Sequence, residues 1–307
     1  MSPSSLSLPA ALAAGLISAG IFLGAASLGL GFFFLFLSTL PLFMTALRGH
    51  LKTALMGGIL GSVPISLLAG ADAGLIYLLY LALPCCYLAQ RALLCHKQNS
   101  GGLVWYPPAL ALLQLSIAGM ITIALMTIHH ASAEGGIMGV ISQQVEAGFA
   151  DMEPEMIAML TQLANHWSFL IFGLTVWMWV LLLYGHLWAA NRLIKTNRLR
   201  ESVAIEPFAM PGWVLSLMAI CALASLIGSP SMQFFGKASL VCLMLPYFLL
   251  GCALMHAASK SWPSRGFFLF LVYFMVVAQF WPALILAGFG FFHHIKSLSG
   301  ATPSAKS

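Results

Sequence analysis

Charged side chains are scarce in this sequence of 307 residues. Asp, Glu, Lys and Arg together make up 7% of it and apolar residues 61%, whereas an ordinary soluble domain is about 25% charged. A chain with so little polar surface cannot be a water-soluble globule of this length. We therefore predict an all-α, polytopic bundle of transmembrane helices, with the lipid bilayer as its first partner.

Motifs that carry chemistry are also missing from the sequence. It contains no G-x-S-x-G, Walker, H-E-x-x-H or Rossmann pattern, and its six cysteines form no C-x-x-C pair. The basic residues lie in short loops between apolar runs, which fits membrane topology better than a nucleic-acid surface. We expect no catalytic residue, no metal, no cofactor, no nucleic-acid partner and hence no enzyme.

Long apolar stretches predict nine spans, because a spanning helix needs about 20 apolar residues. The alternative is that the first 46 residues cross only once with a re-entrant half, which gives eight spans. In either case residues 1–307 form a single membrane domain. The nine spans cover approximately residues 8–28, 31–47, 53–69, 73–94, 106–128, 167–193, 211–228, 237–258 and 266–292.

The few basic residues set the orientation of these spans. Ten of the thirteen Lys and Arg residues fall in loops on one side, and Lys237, Lys296 and Lys306 fall on the other. Because Lys and Arg are enriched on the cytoplasmic side, the basic loop 194–210 is predicted to be cytoplasmic, in a bacterial inner membrane. The nine-span arrangement then has its N-terminus inside and its C-terminus outside.

An acidic insert at residues 131–165 is predicted to be external. It has five acids and no Lys or Arg, and Met138, Ile141, Val145 and Phe149 make an apolar stripe at helical spacing. A second short helix is expected to start at Pro154, since proline is favoured in a first turn. We expect these two amphipathic helices to pack on the bundle like a lid.

Small residues recur at four-residue spacing in two of the predicted spans. Ala11, Gly15 and Ala19 form one stripe, Gly20 and Gly24 a second, and Gly57-x-x-x-Gly61 a third. In lipid such stripes let helix backbones approach closely.

Polar side chains inside the spans are the candidate substrate contacts. Tyr77, Tyr80 and Tyr87 recur at spacings of three and seven residues, which predicts one face of the fourth span. Gln114 and Gln279 complete the candidate set. The competing interpretation is that these groups bond neighbouring helices or anchor the interface.

Five histidines, together with Glu134, are expected on the external side. Imidazole and carboxylate groups can bind transition metals, but the spacing here is typical of no known ligand set. An interfacial role is the preferred interpretation for His129, His130, His166, His293 and His294.

Two segments carry a resemblance to a known family. Residues 36–61, FLSTLPLFMTALRGHLKTALMGGILG, and residues 208–214, FAMPGWV, resemble the YybS-like predicted membrane proteins of bacteria. That family is distantly similar to the substrate-capture subunits of energy-coupling-factor vitamin transporters, which bind a solute and rely on a partner for energy. No binding residue is carried over by motif.

The small-residue first and third spans, the Tyr77–Tyr80–Tyr87 face and the lid-like insert favour a small-solute binding or transport-accessory protein without its own energy coupling. The absence of Asp, Glu, Lys and Arg from the middle of the predicted spans agrees, because proton-driven transport needs such groups there. The alternative is a membrane scaffold or regulator that recruits a cytoplasmic or membrane protein partner through the basic loop.

Overall fold

A computed structural model of the chain describes residues 7–29, 32–48, 50–97, 103–194 and 208–300. Residues 195–207, which are most of the predicted basic loop, lie outside the described residues. The helices are α1 (Leu8–Ser27), α2 (Phe32–Phe36), α3 (Thr39–Leu47), α4 (Leu51–Ala69), α5 (Ala71–Tyr77), α6 (Leu83–Leu93), α7 (Pro108–His129), α8 (Gly136–Gly148), α9 (Pro154–Ile194), α10 (Trp213–Leu226), α11 (Pro230–Ala258), α12 (Arg265–Gln279) and α13 (Trp281–Leu298).

The all-α prediction is confirmed, with one small addition. A two-stranded antiparallel hairpin pairs β1 (Cys95–Lys97) with β2 (Leu103–Trp105), where the sequence predicts only a loop. Each predicted span coincides with helix in the structure. Six helices are long and apolar enough to cross a membrane: Leu8–Ser27, Leu51–Ala69, Ala71–Leu93, Ala109–His129, Pro154–Ile194 and Pro230–Ala258.

The other three predicted spans differ from regular full-length helices. The second is interrupted at Leu37–Ser38, between α2 and α3, and its helical part Phe34–Leu47 is short. The seventh, α10, has only 14 residues, or about 21 Å at 1.5 Å per residue. The ninth is broken at Phe280 into α12 and α13, which meet at an angle of 117°. The structure therefore has six full-length spans, or seven if α12 and α13 together count as one, among the described residues.

The chain divides into two compact units, whereas the sequence predicts one domain without an internal boundary. The first unit consists of Met1–Ala111 and Trp179–Ala204, and the second of Leu112–Met178 and Ile205–Ser307. Each unit is described by itself below.

In the first unit, α1 and α4 pack backbone against backbone. A Cβ on Gly57 would lie 3.0 Å from Ala11 O, and one on Gly61 would lie 2.8 Å from Gly15 O. A Cβ on Gly15 would overlap the carbonyl oxygen of Gly57. The predicted small-residue stripes therefore bring these two helices together, as expected for helices that associate in lipid. The second stripe does not take part, because Gly20 and Gly24 have no neighbour within 4 Å of an added Cβ.

In the second unit, α9 and α11 run side by side in the same direction. The rings of Phe172 and Phe234 are 5.3 Å apart, and Trp177 Nε1 donates a hydrogen bond to Val241 O at 2.7 Å. α11 begins at Pro230, seven residues before the predicted start of its span, because the Ser229 hydroxyl caps its first turn by accepting from Met232 N.

α9 also begins earlier than its predicted span. It has 41 residues and is about 62 Å long, roughly twice the thickness of the hydrocarbon core. The predicted start at Pro154 is correct, but the separate second helix of the insert is wrong. No glycine or proline lies between Pro154 and Trp167, so nothing in the backbone stops the insert helix from continuing into the span.

The C-terminal helices of the second unit differ in how they pack. α13 lies antiparallel against α11, where Gly290 contacts the backbone of Tyr247 and Gly251 contacts that of Leu286. α12 has no buried residue. It is tied to α11 by His256, whose Nε2 lies 2.7 Å from Tyr273 Oη and whose Nδ1 lies 3.5 Å from Arg265 Nη2.

Candidate functional site

Tyr77, the first predicted substrate contact, is closed off inside the first unit. Its side chain is fully buried, its hydroxyl lies 2.6 Å from Ser18 Oγ, and its ring packs edge-on against Phe22. The Ser18 hydroxyl in turn donates to Ser38 O at 2.5 Å. The position of Tyr77 therefore supports the competing interpretation, in which the phenol links helices.

The predicted tyrosine face is rotated by a π-helical turn. Residues Leu78–Ala82 form this turn between α5 and α6, and its wider ring inserts an extra residue into the helical repeat. As a result Tyr77 is buried, whereas Tyr80 is exposed and Tyr87 is half-buried.

Tyr80 and Tyr87 have protein partners of their own within the first unit. Tyr80 O accepts a hydrogen bond from Trp179 Nε1 at 2.7 Å, and the Tyr87 ring lies 5.0 Å from the Arg91 guanidinium. The three tyrosines thus differ in exposure and in their partners, and their role as substrate contacts remains a prediction.

Gln114 and Gln279 lie in the second unit. Gln114 is half-buried on α7 and has a protein partner, and Gln279 is exposed at the end of α12. Neither lines the cavities described next. Their role as substrate contacts remains a prediction.

The acidic insert packs on the second unit through α8. Ile137 is buried, Met138, Ile141 and Val145 are half-buried, and Gln143, Gln144 and Glu146 are exposed, as the apolar stripe predicts. Phe149, the last member of the stripe, is exposed. α8 is attached to α9 by Asn165, whose Nδ2 donates to Ser142 Oγ at 3.1 Å, and to α11 by a contact between Gly136 and Ser231.

A polar pocket of about 470 Å³ lies where α8, α9 and α11 meet. We call it the insert-base pocket. The two neighbouring α9 residues Asn165 and His166 contribute an amide and an imidazole, and Gln233 and Lys237 contribute an amide and an ammonium group from α11. Its apolar walls are Met138, Phe169, Pro230 and Phe234.

A wider groove of about 1120 Å³ adjoins this pocket. It follows the N-terminal turns of α9 and includes Glu146 of α8, and it shares Asn165 and His166 with the insert-base pocket. The Thr161 hydroxyl, also on this groove, is buried and makes no hydrogen bond with the described residues. The two cavities thus meet at Asn165 and His166 along the base of the insert.

Lys237 is the cation of the insert-base pocket. Its Nζ lies 5.9 Å from the centre of the Phe169 ring, and within the described part of the chain no carboxylate pairs with it. An ammonium group on an otherwise apolar helix is costly unless it meets an anion or water. Asn165 Nδ2 donates one N–H to Ser142 Oγ and Gln233 Nε2 donates one to Gly228 O at 3.3 Å. The pocket can therefore accept an anionic group at Lys237, with the second N–H of each amide as a further donor.

Sequence reasoning missed Gln233 and Lys237 as site residues. The apolar pattern places Lys237 at the outer end of a span and predicts a helix start there, seven residues after Pro230. The available signal was the proline after Ser229, a capping pattern that extends the helix by two turns toward the insert.

The five histidines do not converge. His129 and His130 pack edge-on with ring centres 4.8 Å apart, and His166 packs against Trp167. His294 is buried, with Nδ1 at 2.9 Å from Tyr247 Oη. Among the described residues no three His, Cys, Asp or Glu side chains are grouped closely enough to hold a metal ion.

Comparison with known proteins identifies a family. The family model described as "Predicted membrane protein (DUF2232)" matches residues 15–292. No curated protein and no solved structure matches the chain.

Proposed function

The chain belongs to this family of predicted membrane proteins, and from that premise we propose that it is a small-solute binding or transport-accessory protein. The insert-base pocket is the proposed site. The solute class that fits is a small anion, a carboxylate or a phosphate, with an apolar or aromatic body.

The observation that carries this proposal is the Lys237 ammonium, with which no carboxylate in the described ranges pairs. A carboxylate or phosphate at Lys237 would satisfy it, and the Asn165 and Gln233 amides would add directed hydrogen bonds. Phe169 and Phe234 supply the apolar walls against which an organic body packs. The adjoining groove along α9 gives the solute a route to the pocket.

The distribution of charge supports a role without independent energy coupling. Among the described residues, Asp72, Lys52, Arg91, Arg192, Arg265 and Lys296 lie near helix ends, and Lys237 lies in the third turn of α11. Carrying protons through a membrane requires ionisable groups deep in the spans. The protein is therefore proposed to bind its solute without chemistry of its own and to pass it to a membrane protein partner.

The proposed location is the bacterial inner membrane, with loop 194–210 in the cytoplasm and residues 131–165 outside. The orientation rests on the Lys and Arg residues of the loops. The 41 residues of α9 exceed the roughly 20 needed to span, so part of the helix is proposed to extend beyond the bilayer toward the insert. Reporter fusions at residues 150 and 200 test it. A cytoplasmic signal at residue 150 would reverse the orientation.

Thermal unfolding of the purified protein with a panel of vitamins, small carboxylates and organic phosphates tests the binding function. A ligand at about 100 times its Kd raises the free energy of unfolding by roughly 2.7 kcal/mol, which appears as a higher melting temperature. Melting curves that do not move for any anion would contradict the proposal.

The Lys237→Gln variant tests whether the solute binds in the insert-base pocket. We expect the affinity for a stabilising anion to fall about tenfold, because a hydrogen bond to a charged group is worth roughly 1.5–3 kcal/mol. Lys237 is exposed, so the melting temperature without ligand should stay near that of the unaltered protein. Lys260→Gln, at an exposed lysine outside the pocket, is the matched control and should leave the affinity unchanged.

A further inference from the structure

A second cavity lies in the second unit, between α11, α12 and α13. Its volume is about 670 Å³, and we call it the C-terminal groove. It arises because Gly251 and Gly290 hold α13 close to α11, while the 117° bend at Phe280 carries α12 away from α13. The groove is therefore a wedge between one tightly packed helix pair and one loosely packed helix.

One face of α13 forms the floor of the groove. Trp281, Ile285, Phe289, Phe292 and Lys296 line it at successive spacings of four, four, three and four residues, the repeat of a single helical stripe. These positions span 15 residues, or about 22 Å. α11 and α12 contribute only apolar side chains to the other walls.

The two polar residues of the groove lie together on the last turns of α13. Lys296 and His293 are three residues apart and on the same stripe, and no other lining residue carries a titratable or charged group. Among the described residues no carboxylate pairs with Lys296. The groove thus has a long apolar body and one cationic end.

We propose that the C-terminal groove binds one anionic phospholipid, with an acyl chain along the Trp281–Phe292 stripe and the phosphate at Lys296 and His293. An acyl chain reaches through about half of the roughly 30 Å hydrocarbon core, so a groove of about 22 Å accommodates it. The Lys296 ammonium and a His293 N–H donate to the phosphate oxygens. Phosphatidylglycerol is a lipid of this chemistry.

A whole partner helix does not fit inside the groove. A helix about 10 Å wide and 22 Å long fills roughly 1,700 Å³, more than twice the volume of the groove. A small polar solute is disfavoured for another reason, since the apolar walls offer its polar groups no hydrogen bond. An extended hydrocarbon chain meets neither difficulty.

Native mass spectrometry of the full chain tests the lipid site. The protein is reconstituted into nanodiscs of phosphatidylcholine and phosphatidylglycerol in equal proportion and then released into mild detergent. We expect one retained phosphatidylglycerol in preference to phosphatidylcholine. Lys296→Gln should lower that preference about fivefold, the effect of removing one cation from an anionic headgroup.

Two further variants separate the headgroup from the groove. Lys260→Gln removes a cation outside the groove and should leave the preference unchanged. Ile285→Trp fills the apolar body and should reduce retention of both lipids, with the melting temperature reporting whether the variant folds. Because melting and retention are both measured, a destabilised Ile285→Trp leaves the Lys296→Gln comparison decisive.

Three results would overturn the proposal. Equal loss of phosphatidylglycerol in Lys296→Gln and Lys260→Gln would show a diffuse charge effect. Equal retention of both lipids by the unaltered protein would remove the role of the phosphate. A melting shift produced by inorganic phosphate alone, as large as that produced by phosphatidylglycerol, would show an anion site without an acyl chain.

Discussion

The Tyr77 region of the first unit and the insert-base pocket of the second unit use polar side chains in opposite ways. Tyr77 is fully buried and shares a hydrogen bond with Ser18. Lys237 and His166 are exposed at a cavity, and Lys237 has an aromatic ring beside it but no acid from the part of the chain that the structure describes. A polar side chain in an apolar helix is thus a candidate ligand contact when the neighbouring helices do not supply hydrogen-bond or ion-pair partners for all of its polar atoms.

The largest expected effect on stability comes from forcing α1 and α4 apart in the first unit, which holds the Tyr77 region. In Gly15→Ala the added methyl group meets the carbonyl oxygen of Gly57, so α1 and α4 must separate. We expect the free energy of unfolding to fall by about 1–3 kcal/mol, as for other overpacked sites. Titration with SDS from mild detergent micelles, followed by circular dichroism, measures it.

Gly20→Ala on the same helix is the matched control. Apart from its own helical turn, no atom of the described residues lies within 4 Å of a Cβ at Gly20, and alanine is the better helix former. Its stability should be unchanged or slightly higher. If both variants lost the same stability, close packing at Gly15 would not be what holds the two helices together.

A smaller effect on stability is expected when the Tyr77 region loses only the hydrogen bond between Tyr77 and Ser18. Tyr77→Phe removes the phenol that meets Ser18, and we expect a loss of about 0.5–1 kcal/mol, since hydrogen bonds between membrane helices are weak on average. The solute-induced melting shift should be retained, because Tyr77 is not proposed to touch solute.

Tyr80→Phe provides the comparison for that variant, since the Tyr80 hydroxyl bonds to none of the described residues. Its stability should match that of the unaltered protein. If Tyr77→Phe loses the solute-induced melting shift and Tyr80→Phe keeps it, the solute binds at Tyr77. That result would contradict the assignment of the solute to the insert-base pocket.

The smallest effect on stability is expected at the insert-base pocket. Ser142→Ala removes the acceptor of Asn165 Nδ2 on α8, and because this bond is exposed the stability should change by less than about 0.5 kcal/mol. Asn165 then loses its fixed orientation, and we expect solute affinity to fall about two- to fivefold. Isothermal titration calorimetry measures it.

Gln143→Ala, on the exposed side of α8, should leave that affinity unchanged. If Ser142→Ala binds solute as tightly as Gln143→Ala does, α8 has no part in shaping the insert-base pocket.

Hydropathy predicts the helical segments well because lipid imposes one requirement on all of them. A spanning segment must be apolar and must satisfy its own backbone hydrogen bonds, so apolar runs such as 53–69 and 106–128 become helices with ends within three residues of those predicted. The glycine stripes of α1 and α4 are predictable for a similar reason, since only small residues allow that approach.

Breaks and rotations within apolar helices are not visible in hydropathy. The π turn at Leu78–Ala82 and the bend at Phe280 change where side chains point without changing the apolar character of the segment. Hydropathy therefore predicts a regular helical face for Tyr77, Tyr80 and Tyr87 without the π turn, and a span at 266–292 without the bend. Lys237 was assigned to a helix end for the same reason, because the extra turns of α11 come from a cap at Ser229.

The bend at Phe280 bears on how α12 can move as well as on where α12 lies. Phe280 has a positive φ of 54°, which costs a non-glycine residue roughly 1–2 kcal/mol. Its ring lies 6.0 Å from that of Trp177, which also stacks on Phe248. Widening the C-terminal groove requires α12 to swing about this one residue and disturb that stack, a collective motion on the order of microseconds to milliseconds. We therefore expect any exchange that needs α12 to move to be slower than the diffusion of lipids elsewhere around the protein.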